Sequence, residues 1–268
     1  MSKVSVAILR RNKVVPRVNL VLAVSQGGGF FVGNFSKSNK KLVVKIGTRT
    51  FCEANGIVNE NFVSSLAEQI LDLREQGIQI LVVCSGSVAL GKLRIPGVLG
   101  KRLAASLGQP LLMQIWNNAF YPVPALQFLF SNEDLKDETS LREMMLYGMA
   151  YGIPIINGSR NENNDSHAGK IAKIICADSL VLLTNTSGVQ DKNKRTISTV
   201  NDFADIEEHI VNTTSVGGSG GMGLKASEAM SFVQETGAQA FIAHGHQAGI
   251  LRNIVSGNYR GTTRFAQA

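Results

Sequence analysis

Short apolar runs alternate with amphipathic segments along most of this chain, and this alternation restricts the possible folds more than any other feature. The run Ile78–Cys84, with Gln79 as its one polar residue, is typical of a strand that is buried on both faces. The segment Asn59–Gln76 has apolar residues at helical spacing and is followed by Gly77, which predicts a helix and its end. Strands that alternate with helices predict an α/β fold with a mostly parallel central sheet, covered on both faces.

The same pattern places the other elements. Further strands are predicted at Leu42–Ile46, Ala125–Phe130, Ile153–Ile156, Ser179–Thr184 and Ala238–Ala243. Further helices are predicted at Leu103–Phe120, Glu138–Tyr151, His167–Cys176 and Met222–Thr236. In open α/β sheets ligands bind beyond the carboxyl ends of the strands, so the polar junctions at those ends are expected to face one cleft. These junctions are Lys45–Thr48, Ser85-Gly86, Asn157-Gly158, Thr184-Asn185 and Gly217–Gly223.

The net charge of +7 suggests a nucleic-acid partner, but its distribution argues against one. Ten of the 27 Lys and Arg residues precede Glu53, the first acidic residue, and the remaining 17 are outnumbered by the 20 acidic residues. Residues 1–40 therefore form a basic leader, for which two interpretations stay open: a transit peptide for an organelle, or a disordered basic tail. The rest of the chain, 41–268, is expected to fold as one domain that binds no nucleic acid.

Two exclusions concern the cellular setting. No apolar run approaches the roughly 18 residues that a membrane-spanning helix needs, so no membrane association is expected. The three cysteines are widely spaced, which supports neither a disulfide framework nor a zinc site and favours the reducing cytoplasm. The pair His244 and His246 lacks a third metal ligand in the sequence and is interpreted as the end of a strand.

The glycine-rich segment Gly217–Gly223, followed by Lys225, is the strongest local motif. Five glycines in seven residues leave backbone N–H groups available to surround an anion, and the helix that follows favours phosphate at its N-terminus. Lys225, about one turn into that helix, can reach back to a phosphate group. The alternative is a flexible surface loop. The spacing also matches a dinucleotide fingerprint, but no apolar strand precedes it.

Three other segments carry polar residues with candidate roles. Lys45 lies within an apolar strand, where a lysine is costly unless it meets an anion; the alternative is a strand-end lysine that reaches solvent. The turn at Ser85-Gly86 offers amides and a hydroxyl to a carboxylate or a phosphate, and the alternative is a helix cap. Asn164 and Asp165 precede a helix and are positioned to orient two lysines or a substrate amine, and the alternative is again a cap.

Taken in this order, the segments resemble the glutamate 5-kinases of the amino-acid-kinase family and the kinase part of the bifunctional pyrroline-carboxylate synthases. The resemblance runs from about Lys41 to Phe265. It rests on LVVKIGT (Leu42–Thr48), VVCSGSVALGKLRI (Val82–Ile95), LAASLGQPLLMQIWNNAF (Leu103–Phe120), IPIIN (Ile153–Asn157), NNDSHAGKIAKIICADSLVLLTN (Asn163–Asn185), GSGGMGLKASEA (Gly218–Ala229) and GTTRF (Gly261–Phe265).

The resemblance implies a three-layer αβα sandwich and a kinase domain at 41–268. It implies the ATP-dependent phosphorylation of the L-glutamate γ-carboxylate, the first step of proline biosynthesis, by a cytoplasmic homo-oligomer. Mg²⁺ would accompany the nucleotide, and no residue is predicted to ligate a metal. Lys45, Asp165 and Lys225 would be catalytic. ATP would be held by Lys45, Thr184, Asn185, Ser219, Gly220, Gly221, Met222, Gly223, Leu224 and Lys225. Glutamate would be held by Ser85, Gly86, Asn157 and Asn164.

The chain departs from the family pattern at three places. An acidic loop that binds glutamate in the family is shortened here, and Gly158-Ser159-Arg160 follows Asn157. Asn185 stands where the family has an aspartate, and His167 and Lys170 replace apolar residues. The short loop predicts weak glutamate binding, with Glu162 as an imperfect partner for the substrate ammonium. Two alternatives therefore stay open: a non-catalytic binding relative, and a kinase of the same fold for another small acid.

Overall fold

The computed structural model describes residues 40–95, 100–130, 133–157, 163–210 and 221–268. The predicted basic leader lies outside this range except for Lys40. Ser219 and Gly220 of the predicted nucleotide loop, and Glu162 of the shortened loop, also lie outside the described residues. The interpretations of these segments therefore stay predictions.

The described residues form one eight-stranded sheet in the order β3-β4-β2-β1-β5-β7-β8-β6. The strands are β1 (Lys41–Ile46), β2 (Gln79–Cys84), β3 (Ala125–Phe128), β4 (Ile153–Ile156), β5 (Ser179–Thr184), β6 (Thr199–Val200), β7 (Gln239–His244) and β8 (Thr262–Phe265). Every neighbouring pair is parallel except β7 and β8. The predicted mostly parallel sheet is thus confirmed.

Helices cover both faces of the sheet. In the described part of the chain they are α1 (Thr48–Phe51), α2 (Glu60–Glu75), α3 (Ser87–Arg94), α4 (Lys101–Phe120), α5 (Glu138–Tyr151), α6 (Asn164–Ile174), α7 (Glu207–Ile210), α8 (Met222–Thr236) and α9 (Ile250–Val255). Among these residues, no helix is both long enough and apolar enough to cross a membrane.

Strand side chains alternate between two apolar layers. Leu42, Val44 and Ile46 of β1 pack in the layer that contains α2, α4 and α9. Val43 of the same strand packs in the layer that contains α5, α6 and α8, and we call this side of the sheet the α8 face. Two layers of helices around one sheet make the three-layer αβα sandwich. By the same alternation, Lys45 projects from β1 onto the α8 face.

Helices α3 and α4 approach each other closely at two glycines. A Cβ on Gly91 would lie 1.7 Å from the backbone oxygen of Ala104, and a Cβ on Gly108 would lie 1.7 Å from that of Ser87. No side chain larger than hydrogen fits at either position. This contact fixes the start of α3, and with it the Ser85-Gly86 turn at the carboxyl end of β2.

Candidate active site

Three charged side chains from three different elements meet on the α8 face. Asp165, in the first turn of α6, lies between Lys45 of β1 and Lys225 in the first turn of α8. Asp165 Oδ1 is 2.5 Å from Lys45 Nζ, and Asp165 Oδ2 accepts a hydrogen bond of 2.8 Å from Lys225 Nζ. Lys45 is 4% exposed and Asp165 is 1% exposed. The structure therefore brings together the three residues that were predicted to be catalytic.

The cap of α6 decides between the two interpretations of Asp165. Asn163 precedes the helix, and its Oδ1 accepts a hydrogen bond of 2.9 Å from the backbone N–H of Asp165. Since Asn163 caps the helix, the carboxylate of Asp165 is available to the two lysines. A carboxylate in the first turn of a helix is also favoured by the helix dipole.

The charges of this cluster shift the pKa values of its members. Burial by itself raises the pKa of Asp165, but the ammonium groups of Lys45 and Lys225 outweigh this effect and hold that pKa below its ordinary value. Burial lowers the pKa of Lys45, and the attraction of Asp165 offsets only part of the shift. In these contacts two ammonium groups face the one carboxylate of Asp165, in a site of low exposure. Such a site favours an anion with several negative oxygens.

The residues predicted to bind the substrate lie at the carboxyl ends of β2 and β4 and at the start of α6. Asn164 Nδ2 donates a hydrogen bond of 2.5 Å to Ser85 Oγ. Asn157 is fully buried, and its Oδ1 accepts a hydrogen bond of 3.1 Å from Gln127 Nε2. Gly86 has φ +129°, and a Cβ there would lie 2.7 Å from the Phe51 ring, so this turn requires glycine. These contacts present neutral polar groups beside the lysine cluster.

Gln127 was missed by the sequence analysis. It lies on β3, the edge strand next to β4, and its side-chain amide orients that of Asn157. The one available signal was a polar residue within the apolar segment Ala125–Phe130. That signal cannot name the partner, because Asn157 is distant in sequence and becomes a neighbour only when β3 pairs with β4.

The residues predicted to hold ATP lie at the carboxyl end of β5 and at the start of α8. Thr184 ends β5, and Asn185 follows it. The Asn185 side chain is engaged with α1: its Oδ1 accepts from Thr50 Oγ1 at 2.9 Å, and its Nδ2 donates to the Arg49 backbone oxygen at 3.0 Å. This pairing of Asn185 was not predicted either.

The start of α8 supplies the other part of that site. Gly221 precedes the helix, and Met222, Gly223, Leu224 and Lys225 form its first turn, which contains no acidic side chain. The first N–H groups of a helix have no acceptor within the helix, so they are available to an anion. Both features suit a phosphate group.

A metal ion would not find a ready set of ligands in the described residues. They contain no group of three His, Cys, Asp or Glu side chains close enough together to hold one. Both oxygens of Asp165 already face ammonium groups. A magnesium ion brought in by a nucleotide fits this arrangement, because Mg²⁺ commonly keeps its waters and binds through substrate phosphates.

Comparisons with known proteins show the family of the chain. The pattern of the Amino acid kinase family matches residues 40–244. Glutamate 5-kinase 2 of Bacillus subtilis is 32% identical over 252 residues, which cover 84% of this chain and 68% of that protein. Glutamate 5-kinase of Alkaliphilus metalliredigens is 31% identical over 251 residues, which cover 84% of this chain and 95% of that protein.

Solved structures share the fold. Carbamate kinase from Giardia lamblia, bound to AMP-PNP, superposes with a TM-score of 0.63 at 16% identity, over 87% of this chain and all of that one. At this identity the likeness concerns the fold alone. The family pattern and the sequence relatives show the family: the chain belongs to the glutamate 5-kinases of the amino acid kinase family.

Proposed function

We propose that this chain transfers the γ-phosphoryl group of ATP to the γ-carboxylate of L-glutamate and forms L-glutamyl 5-phosphate and ADP, the first step of proline biosynthesis. The observation that carries this proposal is the pair of lysines held by one buried carboxylate, Asp165, at the carboxyl ends of the strands. Membership of the glutamate 5-kinases supports the choice of donor and acceptor.

The lysine cluster suits phosphoryl transfer because that reaction needs positioning and positive charge more than covalent chemistry. An oxygen of the γ-carboxylate attacks the γ-phosphorus, and the bond from that phosphorus to the β,γ-bridging oxygen breaks. The electron pair leaves with ADP. The nucleophile is already an anion, so no general base is required. Lys45 and Lys225 neutralise charge on the phosphate oxygens, and Asp165 keeps both ammonium groups in place.

The remaining predicted residues divide between the two substrates. Thr184, Asn185 and the segment Ser219–Lys225 hold ATP, whereas Ser85, Gly86, Asn157 and Asn164 hold glutamate. Magnesium bound to the nucleotide neutralises part of the phosphate charge. The buried amide of Asn157, oriented by Gln127, presents its Nδ2 as a donor to a substrate carboxylate. Glu162 is retained as the predicted partner of the substrate ammonium.

The cellular setting is also a proposal. We expect a cytoplasmic homo-oligomer whose partners are small molecules and not nucleic acids. Light scattering on the purified chain measures its mass, and a monomer at micromolar concentration would contradict the homo-oligomer. Localisation of the full chain tests whether residues 1–40 act as a transit peptide.

The direct test is trapping of the acyl phosphate. Purified protein is incubated with ATP, Mg²⁺, L-glutamate and hydroxylamine, and ADP and γ-glutamyl hydroxamate are both measured. We expect both products to depend on glutamate. D-Glutamate, L-aspartate and N-acetyl-L-glutamate serve as alternative acceptors. Transfer to one of these instead would favour a same-fold kinase for another acid, and nucleotide binding without any transfer would favour a non-catalytic relative.

A titration with glutamate alone addresses the shortened loop. We expect weak binding that weakens further in Glu162→Gln, because the ammonium of a bound amino acid needs a negative or carbonyl partner. Tight binding that is unaffected by Glu162→Gln would show that another group holds the ammonium.

A further inference from the structure

One imidazole on the nucleotide side of the sheet has no part in the transfer chemistry described above. His244 is the last residue of β7, and it pairs in register with Thr184, the last residue of β5. It is partly exposed, whereas the four residues before it in the strand are buried. A polar ring at the carboxyl end of a parallel strand lies where ligands bind in this class of fold.

The alternation of side chains places this ring on the α8 face. Ile242 of β7 and Leu182 of β5 are neighbours in register and both belong to the apolar layer beneath α5, α6 and α8. Two residues further along each strand, His244 and Thr184 project to the same side. Lys45 of β1 projects there as well. His244 therefore shares a face of the sheet with the lysine cluster and with helix α8.

A hydrogen bond fixes the direction of the ring. His244 Nδ1 accepts from the backbone N–H of His246 at 3.2 Å. In the neutral ring the proton therefore resides on Nε2, which is turned away from that backbone contact and can donate to a ligand.

The turn that carries this contact is itself held by packing. A Cβ on Gly245 would lie 2.3 Å from Thr50 Cγ2, so Gly245 is pressed against α1. The His246 ring packs against Phe62 of α2, with centroids 5.1 Å apart, and its edge also contacts the His244 ring, with centroids 5.7 Å apart.

The distance from the lysines indicates which part of a nucleotide reaches His244. Strand β7 is two positions from β1 in the sheet, which is about 10 Å at the usual spacing of strands. Strand β5 lies between them, and its Thr184, which pairs with His244, is one of the residues proposed to hold ATP, so a nucleotide whose phosphates meet Lys45 and Lys225 would reach β7 with its ribose–base half. We propose that His244 contacts the ribose–base half of the bound nucleotide through Nε2–H, and this inference rests on the proposed function.

The test separates the two halves of the nucleotide. Binding of a non-hydrolysable ATP analogue and of inorganic tripolyphosphate is measured by titration calorimetry on the wild-type chain and on His244→Ala. We expect the variant to bind the analogue roughly tenfold more weakly, as the loss of one hydrogen bond predicts, and to bind tripolyphosphate with unchanged affinity. His246→Phe is the matched control in the same turn, because it keeps an aromatic ring against Phe62 and His244, and it should leave both affinities unchanged.

Two further variants guard against a change of fold. His244→Gln carries an amide donor at nearly the reach of Nε2 and should retain most of the affinity, whereas His244→Asn is too short and should behave like His244→Ala. Equal affinity for the analogue in wild type and His244→Ala would overturn the inference alone. Equal weakening of analogue and tripolyphosphate would also overturn it. A wild-type chain that binds neither would overturn the proposed function, and this inference with it.

Discussion

At the scale of single residues, the two lysines that contact Asp165 contribute little to folding stability but are suited to binding an anion. Removal of ions from water costs several kcal/mol each, and the attraction within a buried ion pair often does not offset this cost. A buried pair of lysines that faces the carboxyl ends of the strands is instead suited to binding an anion. The cost of burial is visible in Lys45, whose pKa is lowered although Asp165 Oδ1 lies 2.5 Å away.

Lys225→Ala is expected to abolish most of the turnover and to spare the fold. The loss of one cation that stabilises the transition state should reduce turnover on the order of 10²-fold or more. The melting temperature should change little, because Lys45 still pairs with Asp165. Lys173→Ala is the matched control, since Lys173 of α6 pairs with Glu235 at 2.5 Å and is 25% exposed at its side chain. Near-normal turnover of Lys225→Ala would remove this residue from the mechanism.

Alkaline pH is expected to weaken nucleotide binding without destabilising the fold through Lys45. Burial lowers the pKa of Lys45 below the ordinary value of 10.5, so this side chain loses its charge before an exposed lysine does. The affinity for an ATP analogue should therefore fall as pH rises through the lowered value. The unfolded chain binds more protons at Lys45 between that value and 10.5, so the contribution of this residue to folding stability increases with pH in the same window.

Titration of the analogue at a series of pH values, with melting temperatures measured in parallel, checks this expectation. Lys45→Arg keeps its charge throughout the range and should move the loss of affinity to higher pH. An alkaline limb that is identical in wild type and Lys45→Arg would assign it to another group.

At the scale of elements, the contact between α3 and α4 holds the Ser85-Gly86 turn, which we propose to bind the substrate. Helix α3 begins at Ser87, directly after Ser85-Gly86, and α4 touches its backbone through Gly108. The packing of the two helices therefore fixes the position of the turn between β2 and α3. A displacement of α4 would move Ser85 away from Asn164, to which it is now hydrogen-bonded.

Gly108→Ala is expected to destabilise the chain by about 1–3 kcal/mol or more, because the added methyl group would overlap the backbone oxygen of Ser87. Urea denaturation measures the change. Gly100→Ala is the control, since a Cβ at Gly100, which precedes α4, meets nothing within 4 Å. If the two variants are equally stable, the close approach of α3 and α4 is not required.

At the scale of the whole molecule, the candidate site lies at the carboxyl ends of the parallel strands. The first described residues lie at the amino end of β1. Strand β1 begins at Lys41, where the backbone N–H donates to Asp178 Oδ2 at 2.7 Å. The backbone oxygen of Lys40 accepts from Gln79 at 2.9 Å. These contacts of the described chain thus lie at the amino end of β1, whereas Lys45 lies near the carboxyl end of the same strand.

Replacement of residues 1–39 by a single Met is expected to leave the melting temperature and the ATP affinity close to those of the full chain. The physical reason is composition, because the segment is basic and broken by glycines and so offers little apolar surface for a core. Thermal melts and analogue titrations of the two chains provide the comparison. A large loss of stability would contradict the prediction and would give the leader a structural role.

The sequence by itself determined the order of six strands and the five longer helices, the mostly parallel sheet and three charged candidates for the site. These follow from local patterns: apolar periodicity within each element, a lysine inside an apolar strand, and a glycine-rich segment before a helix. Such patterns can be recognised in the sequence because the residues that form them are neighbours along the chain. The role of Lys45, Asp165 and Lys225 in one cluster came from family resemblance, and their contact is seen only in the folded chain.

Only the tertiary structure decided which partners the polar side chains have. Gln127 donates a hydrogen bond to Asn157, and Asn185 is hydrogen-bonded to Thr50 and Arg49. Asn163 caps helix α6, so the carboxylate of Asp165 is available to the two lysines. The short helices α1, α3, α7 and α9 and strand β6 also escaped the sequence analysis. The physical reason is common to all of them. A short element or a single polar side chain gains its stability from contacts with residues distant in sequence, and those contacts exist only after the layers have packed.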